Sequence, residues 1–265
     1  MLSNLHTHTN LCDGNDTPEE MVNQAIEMGF SSLGFSGHAP TPFRMDYCIQ
    51  DIGVYITEIK RLKEKYKNDI QIYLGIEEDA FAPIDRSRFE YMIGSYHFIK
   101  KDGQYYSIDI TPDDFAQCVA ACGGPLEFAK EYYKGFCDYI LARKPDIIGH
   151  FDLITKYEEK YTDYFFTNKD YFEIAKRYIN EATKAECMFE LNSGAISRGY
   201  RTKPYPAENL LYELKKADAK MIVTSDCHNR FRLDCNFEES KKMLKDIGFK
   251  HTYVLYNNEF VKEFL

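Results

Sequence analysis

Two histidines and a carboxylate near the start of the chain have the spacing of metal ligands. His6 and His8 are two residues apart, directly after a short apolar start, and Asp13 follows five residues later. If that start is a β-strand, alternation places both imidazoles on the same face. Two nitrogen donors on one rigid face, with a carboxylate close by, are the beginning of a site for a transition metal.

Further histidines and acids recur where short apolar stretches end. The sequence predicts strands that end at or just before the following residues: His6, His38, Glu77, His97, His150, Asp226 and His228. Helical patterns separate these strands, one of them over 125–143 and another starting with a capping box at Thr17 and Glu20. Strands that alternate with helices, without a linker, predict parallel strands in one α/β domain over residues 1–265.

The carboxyl ends of the strands in an α/β barrel converge at one mouth. We therefore expect six of the seven histidines to lie together there, with His251 outside the site because it comes at the start of its strand. The polar segment 100–112 is expected to run over the surface.

Composition limits the class of protein. The chain has 265 residues, 44% of them hydrophobic, and a formal net charge of −9. This charge argues against a nucleic-acid surface, which needs Lys and Arg patches. No apolar run suits a membrane span and no secretory signal is visible, so we expect a cytoplasmic protein with no membrane partner. The eight cysteines contain no CxxC pair and are expected to be reduced and mostly buried.

The order of these motifs resembles that of the PHP (polymerase and histidinol phosphatase) superfamily. An HxH motif comes first, single histidines and an acid follow, and Asp226-Cys227-His228 forms a terminal DxH, so the resemblance spans residues 4–228. The stretches GFSGHAP, GHFDLI and ELNSGAISRGYRTKPYP are most similar to histidinol-phosphate phosphatases. Gly37 departs from the pattern, because relatives often carry Asp before this histidine.

This resemblance implies a distorted (β/α)7 barrel with a metal site at the carboxyl ends of its strands. It implies three divalent metal ions. The first would be held by His6, His8, Glu77 and Asp226. Glu77 would bridge to a second ion, which is also held by His97 and His150. The third would be held by Asp13, His38 and His228.

Imidazole and carboxylate ligands without thiolates suit Zn, Mn or Fe. Such a cluster is expected to bind a small phosphorylated substrate and a bridging hydroxide that attacks phosphorus. The resemblance thus predicts hydrolysis of L-histidinol phosphate in histidine biosynthesis. Asp226 or His228 would protonate the leaving alkoxide. Arg198, on the loop after a strand, is the best candidate to bind the phosphate, and Arg201 is its rival. Lys156 and Lys160 are weaker candidates for substrate contacts.

Three alternatives stay open. The substrate could be another phosphoester, such as a nucleotide, an oligonucleotide end or phosphotyrosine. A purely structural PHP module would not need open coordination positions at three metals. A metal-dependent amidohydrolase on a related barrel would usually have a lysine or a second HxH in mid-chain.

Cys137 and Arg143 have the C-x5-R spacing of cysteine-dependent phosphatases. The residues between them contain no glycine and continue a helical pattern. Because that chemistry needs a loop with free backbone N–H groups, we expect Cys137 to be structural.

Overall fold

A curled sheet of nine strands runs through the centre of the molecule, and the computed structural model describes all 265 residues. The strands are β1 (Ser3–Asn4), β2 (Ser32–Phe35), β3 (Gln71–Asp79), β4 (Tyr91–Ser95), β5 (Phe98–Lys101), β6 (Gln104–Ser107), β7 (Ile147–Ile148), β8 (Met188–Asn192), β9 (Lys220–Thr224), β10 (His251–Tyr256) and β11 (Glu259–Phe264). The α-helices are α1 (Pro18–Glu27), α2 (Ile52–Lys65), α3 (Pro112–Cys122), α4 (Pro125–Arg143), α5 (Lys169–Ala182), α6 (Gly194–Ser197), α7 (Glu208–Lys216) and α8 (Phe237–Ile247).

The strand order shows how the sheet closes into a barrel. The order is β1-β2-β3-β4-β7-β8-β9-β10-β11, with β5 and β6 as a separate hairpin, and only β11 in the large sheet pairs antiparallel. Beyond the ends of β1 and β9 the chain forms a parallel bridge between Thr7 and Cys227, in which His8 N donates to Cys227 O at 2.9 Å. Seven parallel strands therefore surround the mouth, which confirms the predicted distorted barrel.

The opposite end of the barrel is filled by side chains. The Tyr91 hydroxyl donates to Leu5 O at 2.6 Å. A Cβ at Gly34 would lie 2.3 Å from the Tyr91 hydroxyl oxygen, and a Cβ at Gly75 would lie 2.2 Å from a carbon of the Tyr91 ring. These two glycines let the tyrosine cross the barrel interior. The barrel interior is filled here, whereas the end that carries the polar residues opens into a cavity.

Several predicted elements form for the expected reasons. The Thr17 side chain accepts from Glu20 N, and the Glu20 carboxylate accepts from Thr17 N, which is the predicted capping box of α1. Helix α4 spans residues 125–143 as predicted. All eight cysteines are free, and four of them are buried. No helix has the length and apolar character that crossing a membrane requires.

Segment 100–112 lies mostly at the surface, as predicted, but it has regular structure that the sequence did not predict. It contributes to the β5–β6 hairpin and then to the start of α3, whose N-cap Thr111 Oγ1 accepts from Asp114 N at 3.1 Å. Alternating polar and aromatic residues hid the hairpin, because only one of its faces packs on the protein. Strand β3 also extends to Asp79, so Glu77 lies within the strand rather than beyond it.

Candidate metal centre

Glu77 lies at the centre of the cavity at the barrel mouth, and both of its oxygens face histidines. Oε2 is 3.3 Å from His6 Nε2 and 2.9 Å from His38 Nδ1. Oε1 is 3.2 Å from His150 Nε2 and 3.4 Å from His97 Nε2, and those two nitrogens are 3.3 Å apart. One carboxylate thus faces two separate groups of nitrogen donors, as a bridging ligand must.

Asp226 joins the first of these groups. Its Oδ1 atom is 3.3 Å from His8 Nε2 and 3.6 Å from His6 Nε2, and His8 Nε2 is 3.5 Å from Glu77 Oε2. Two ligand atoms that each lie ~2.0 Å from a tetrahedral ion are ~3.3 Å from each other. The ligand atoms of His6, His8 and Glu77 all lie within 4.8 Å of one another, as in a mononuclear site, and Asp226 approaches both histidines of this group.

Asp13 organises a third group at the rim. Its Oδ2 atom is 3.1 Å from His228 Nε2 and 3.6 Å from His38 Nε2. Its Oδ1 atom is 3.3 Å from His8 Nδ1. The structure therefore brings all nine residues proposed as metal ligands to the mouth, whereas His251 lies apart at the start of β10.

The hydrogen bonding of these side chains tests whether they suit a metal. Five buried atoms of the group have no hydrogen-bond partner: His6 Nε2, His8 Nε2, Glu77 Oε2, His97 Nδ1 and His150 Nδ1. A buried polar atom without a partner costs free energy, and the first three converge on the site that includes Asp226. Imidazole nitrogen and carboxylate oxygen are the donors that Zn, Mn and Fe accept. The residues present fit such ions.

The charge balance leads to the same conclusion. Burial lowers the pKa of His6, but attraction to Glu190, Asp226 and Glu77 outweighs it and raises that pKa to about 10. Acids thus dominate the field of the protein at this point. Divalent cations neutralise the same excess of negative charge.

Glu190, which the sequence did not assign to the site, orients two of the histidines. Its Oε2 atom accepts from Thr224 Oγ1 and lies 2.8 Å from His6 Nδ1, and its Oε1 atom accepts from His150 N at 2.5 Å. Asn192 Nδ2 also donates to Oε1 at 2.8 Å. An acid and an amide two residues apart in an otherwise apolar strand were the signal in the sequence, because period 2 directs both to one side of β8.

No acid precedes His38, and other contacts position its ring. The Tyr47 ring meets the His38 ring edge-on at a centroid distance of 4.7 Å, and Glu77 Oε2 approaches the Nδ1 atom. A Cβ at Gly37 would lie 3.0 Å from Cys12 Sγ and 3.1 Å from Ile49. The packing at this position therefore leaves little room for a larger residue.

The two arginines proposed to bind phosphate lie in different surroundings. Arg198 lines the cavity, with Nη2 at 3.1 Å from Asp226 Oδ2 and Nη1 at 3.1 Å from His228 Nδ1. Arg201 does not line it: its guanidinium lies over the Tyr205 ring at 4.4 Å and donates to Thr155 Oγ1 at 2.8 Å. The structure thus brings only Arg198 to the metal-binding residues.

The cavity itself has a volume of about 250 Å³. Among the residues that line it beyond the metal-binding group are Arg44, Tyr47, Phe98, Asp109, Lys156 and Tyr200. Asp109 was missed because its segment was expected on the surface. Lys160 lies elsewhere and donates to Gly199 O, and Cys137 lies in α4, where its thiol donates to Tyr178 O at 3.2 Å.

Comparison with known proteins decides the family. The model of the PHP domain matches residues 4–194, well over half of the chain. The chain belongs to the PHP domain family. A Bacillus subtilis PHP relative named histidinol-phosphatase is 25% identical over 248 residues, which are 84% of this chain and 92% of the relative. A Lactococcus lactis protein of the same name is 24% identical and covers 92% of this chain and 90% of its own.

Solved structures agree with the barrel. A crystal structure from Listeria monocytogenes has a TM-score of 0.80 at 21% identity and covers 89% of this chain and 99% of its own. The Lactococcus lactis histidinol phosphate phosphatase, solved with zinc, L-histidinol and phosphate, has a TM-score of 0.75 at 21% identity and covers 98% of this chain and 99% of its own. This PHP protein therefore shares their fold over nearly its full length.

Proposed function

We propose that this PHP protein is a metal-dependent phosphomonoesterase that hydrolyses L-histidinol phosphate to L-histidinol and phosphate. It would act as a single metallophosphatase domain over residues 1–265. We propose that it serves histidine biosynthesis and that it is located in the cytoplasm. The observation that carries the proposal is the convergence of nine imidazole and carboxylate side chains at the barrel mouth, seven of which line one cavity together with Arg198. Relatives named histidinol-phosphatase align with more than four fifths of the chain, which supports the substrate.

Three divalent ions, Zn, Mn or Fe, are proposed in the three groups of side chains. Glu77 would bridge the ion held by His6, His8 and Asp226 to the one held by His97 and His150. The third would be held by Asp13, His38 and His228. Bound ions of this kind neutralise phosphoryl oxygens and make water a nucleophile at neutral pH.

The protein's own residues would bind and orient the ester. The Arg198 guanidinium offers parallel N–H groups and a permanent charge to a phosphoryl oxygen. Asp226 and His228 both contact Arg198, so either would lie close to the oxygen that leaves with L-histidinol. We propose that one of the two protonates it. Glu190 would keep His6 in one tautomer and orientation throughout.

A panel of phosphoesters tests this function. Phosphate release is measured on L-histidinol phosphate, nucleotides and phosphotyrosine, with protein whose metal content has been counted. We expect the highest kcat/KM on L-histidinol phosphate. A higher kcat/KM on a nucleotide or on phosphotyrosine would overturn the proposed substrate, and no phosphate release from any ester by metal-loaded protein would overturn the phosphatase.

A further inference from the structure

Besides the metal-binding group, the cavity contains a carboxylate that faces no proposed ion. Asp109 follows the β5–β6 hairpin and lines the same cavity as Arg198 and His150. Its Oδ2 atom is 3.2 Å from Lys156 Nζ. No protein group donates a hydrogen bond to Oδ1, so this oxygen is free for a ligand in the cavity.

Lys156 fixes this carboxylate in place. The lysine is almost fully buried, its Nζ atom also donates to the Asp109 carbonyl at 2.5 Å, and the Tyr200 ring lies 4.9 Å from Nζ. The Tyr157 hydroxyl donates to the same carbonyl at 2.8 Å. Both side chains of the pair are therefore held by contacts rather than by solvent, as in a built binding site.

The charge of Asp109 is unsuited to phosphate. Burial raises the pKa of Asp109, but the positive charge of Lys156 beside it outweighs burial and holds that pKa below its usual range. An ionised carboxylate repels a phosphate group, and the proposed metal ions with Arg198 already attract that end of the substrate. A negative group elsewhere in the same small cavity attracts the opposite charge.

We infer that Asp109 determines specificity by binding a cationic nitrogen of the substrate through Oδ1, with Lys156 as its positioning residue. The site would then select phosphomonoesters that carry an ammonium or imidazolium group. Aromatic and apolar side chains that suit a flat ring line the same cavity: Tyr47, Phe98, Ile110, Leu153 and Tyr200. This inference rests on the proposed function and assigns a role to a residue outside the metal centre.

The test compares two substrates in the variant Asp109→Asn, which keeps the shape and an acceptor for Lys156 but removes the charge. L-Histidinol phosphate carries a cationic group and phenyl phosphate does not. We expect the ratio of kcat/KM on L-histidinol phosphate to that on phenyl phosphate to fall roughly 10- to 150-fold, the equivalent of one charged hydrogen bond. Asp113→Asn is the matched control, because Asp113 is exposed at the start of α3, and it should leave the ratio as it is.

A binding measurement separates this inference from the proposed function. In Asp109→Asn, the inhibition constant of L-histidinol against phenyl phosphate hydrolysis should rise roughly 10- to 150-fold relative to that of inorganic phosphate. This measurement needs only that L-histidinol binds in the cavity, and not that its phosphate ester is the best substrate. An unchanged ratio in both measurements would overturn the role of Asp109. Wild-type protein that prefers another cationic phosphomonoester to L-histidinol phosphate, with the effect of Asp109→Asn retained, would overturn the proposed substrate alone.

Discussion

Asp226 divides its two carboxylate oxygens between the histidines and an arginine. Oδ1 lies 3.3 Å from His8 Nε2, and Oδ2 lies 3.1 Å from Arg198 Nη2. The guanidinium is therefore positioned by a residue of the metal centre before any substrate binds. We therefore expect a phosphate that reaches the proposed ions to reach this arginine as well.

Replacing Arg198 by alanine tests that arrangement. A charged hydrogen bond contributes about 1.5–3 kcal/mol, so kcat/KM on L-histidinol phosphate should fall roughly 10- to 150-fold. Metal content should stay normal, and Arg198→Lys should restore activity only in part because lysine lacks the planar fork. Steady-state kinetics measure the effect, with the exposed Arg232 changed to alanine as the control. Wild-type kcat/KM in Arg198→Ala would mean that the metals alone bind the phosphate.

Arg201 should behave differently because it lies over Tyr205 and bonds Thr155. Arg201→Ala removes a cation–π contact and a buried hydrogen bond, so the free energy of unfolding should fall by roughly 1–3 kcal/mol. Urea unfolding measures this loss. An unchanged free energy of unfolding, together with a raised KM for L-histidinol phosphate, would instead indicate that Arg201 binds the phosphate.

Metal removal should abolish activity and lower the stability of the folded protein. Ions that bind only the folded state stabilise it, by about 2.7 kcal/mol for one site at 100-fold excess over Kd. Dialysis against a chelator should therefore lower the Tm, and Zn, Mn or Fe should restore both the Tm and the activity. His150→Ala should reduce the metal bound per chain. Full activity in protein shown to be free of metal would contradict the mechanism.

Glu190 should matter through the histidines that it orients. Glu190→Gln puts an NH2 group in place of one carboxylate oxygen, either the one that faces His6 Nδ1 or the one that accepts from His150 N. Loss of a hydrogen bond that orients a metal ligand typically weakens metal binding roughly 10- to 100-fold. Competition with a coloured chelator measures the affinity. Glu213→Gln is the control, because Glu213 is also buried but pairs with Lys216 on α7. Equal affinities in the two variants would show that Glu190 is not needed for metal binding.

Cys137 should have no part in catalysis. Burial raises the pKa of the Cys137 thiol to about 12, so the thiolate needed for nucleophilic attack is nearly absent at neutral pH. Cys137→Ser should leave kcat near that of wild type. Loss of more than ~100-fold at a normal Tm would indicate a covalent cysteine intermediate instead.

The sequence was sufficient to predict that the polar residues at the ends of the strands lie together. The HxH and DxH motifs were identifiable because the two-residue period and the barrel rule together place them at one mouth. Asp109 could not be identified from the sequence, because its position at the cavity depends on how the β5–β6 hairpin packs on the barrel. The sequence favoured Arg198 over Arg201, but it did not show that only one of them reaches the cavity, since the short helix α6 and the turn after it direct two neighbouring side chains to different surroundings.

The bridge between Thr7 and Cys227 lies between the HxH and the DxH motifs. The metal centre is therefore complete only once the last strand of the ring has docked against the first, a contact between distant parts of the chain that forms slowly. A polypeptide that is still being synthesised, or is only partly folded, brings together only some of the proposed ligands, and it would not hydrolyse L-histidinol phosphate. Hydrolysis would then report on completely folded molecules, and the proposed ions would stabilise the contact between strands β1 and β9 that creates their site.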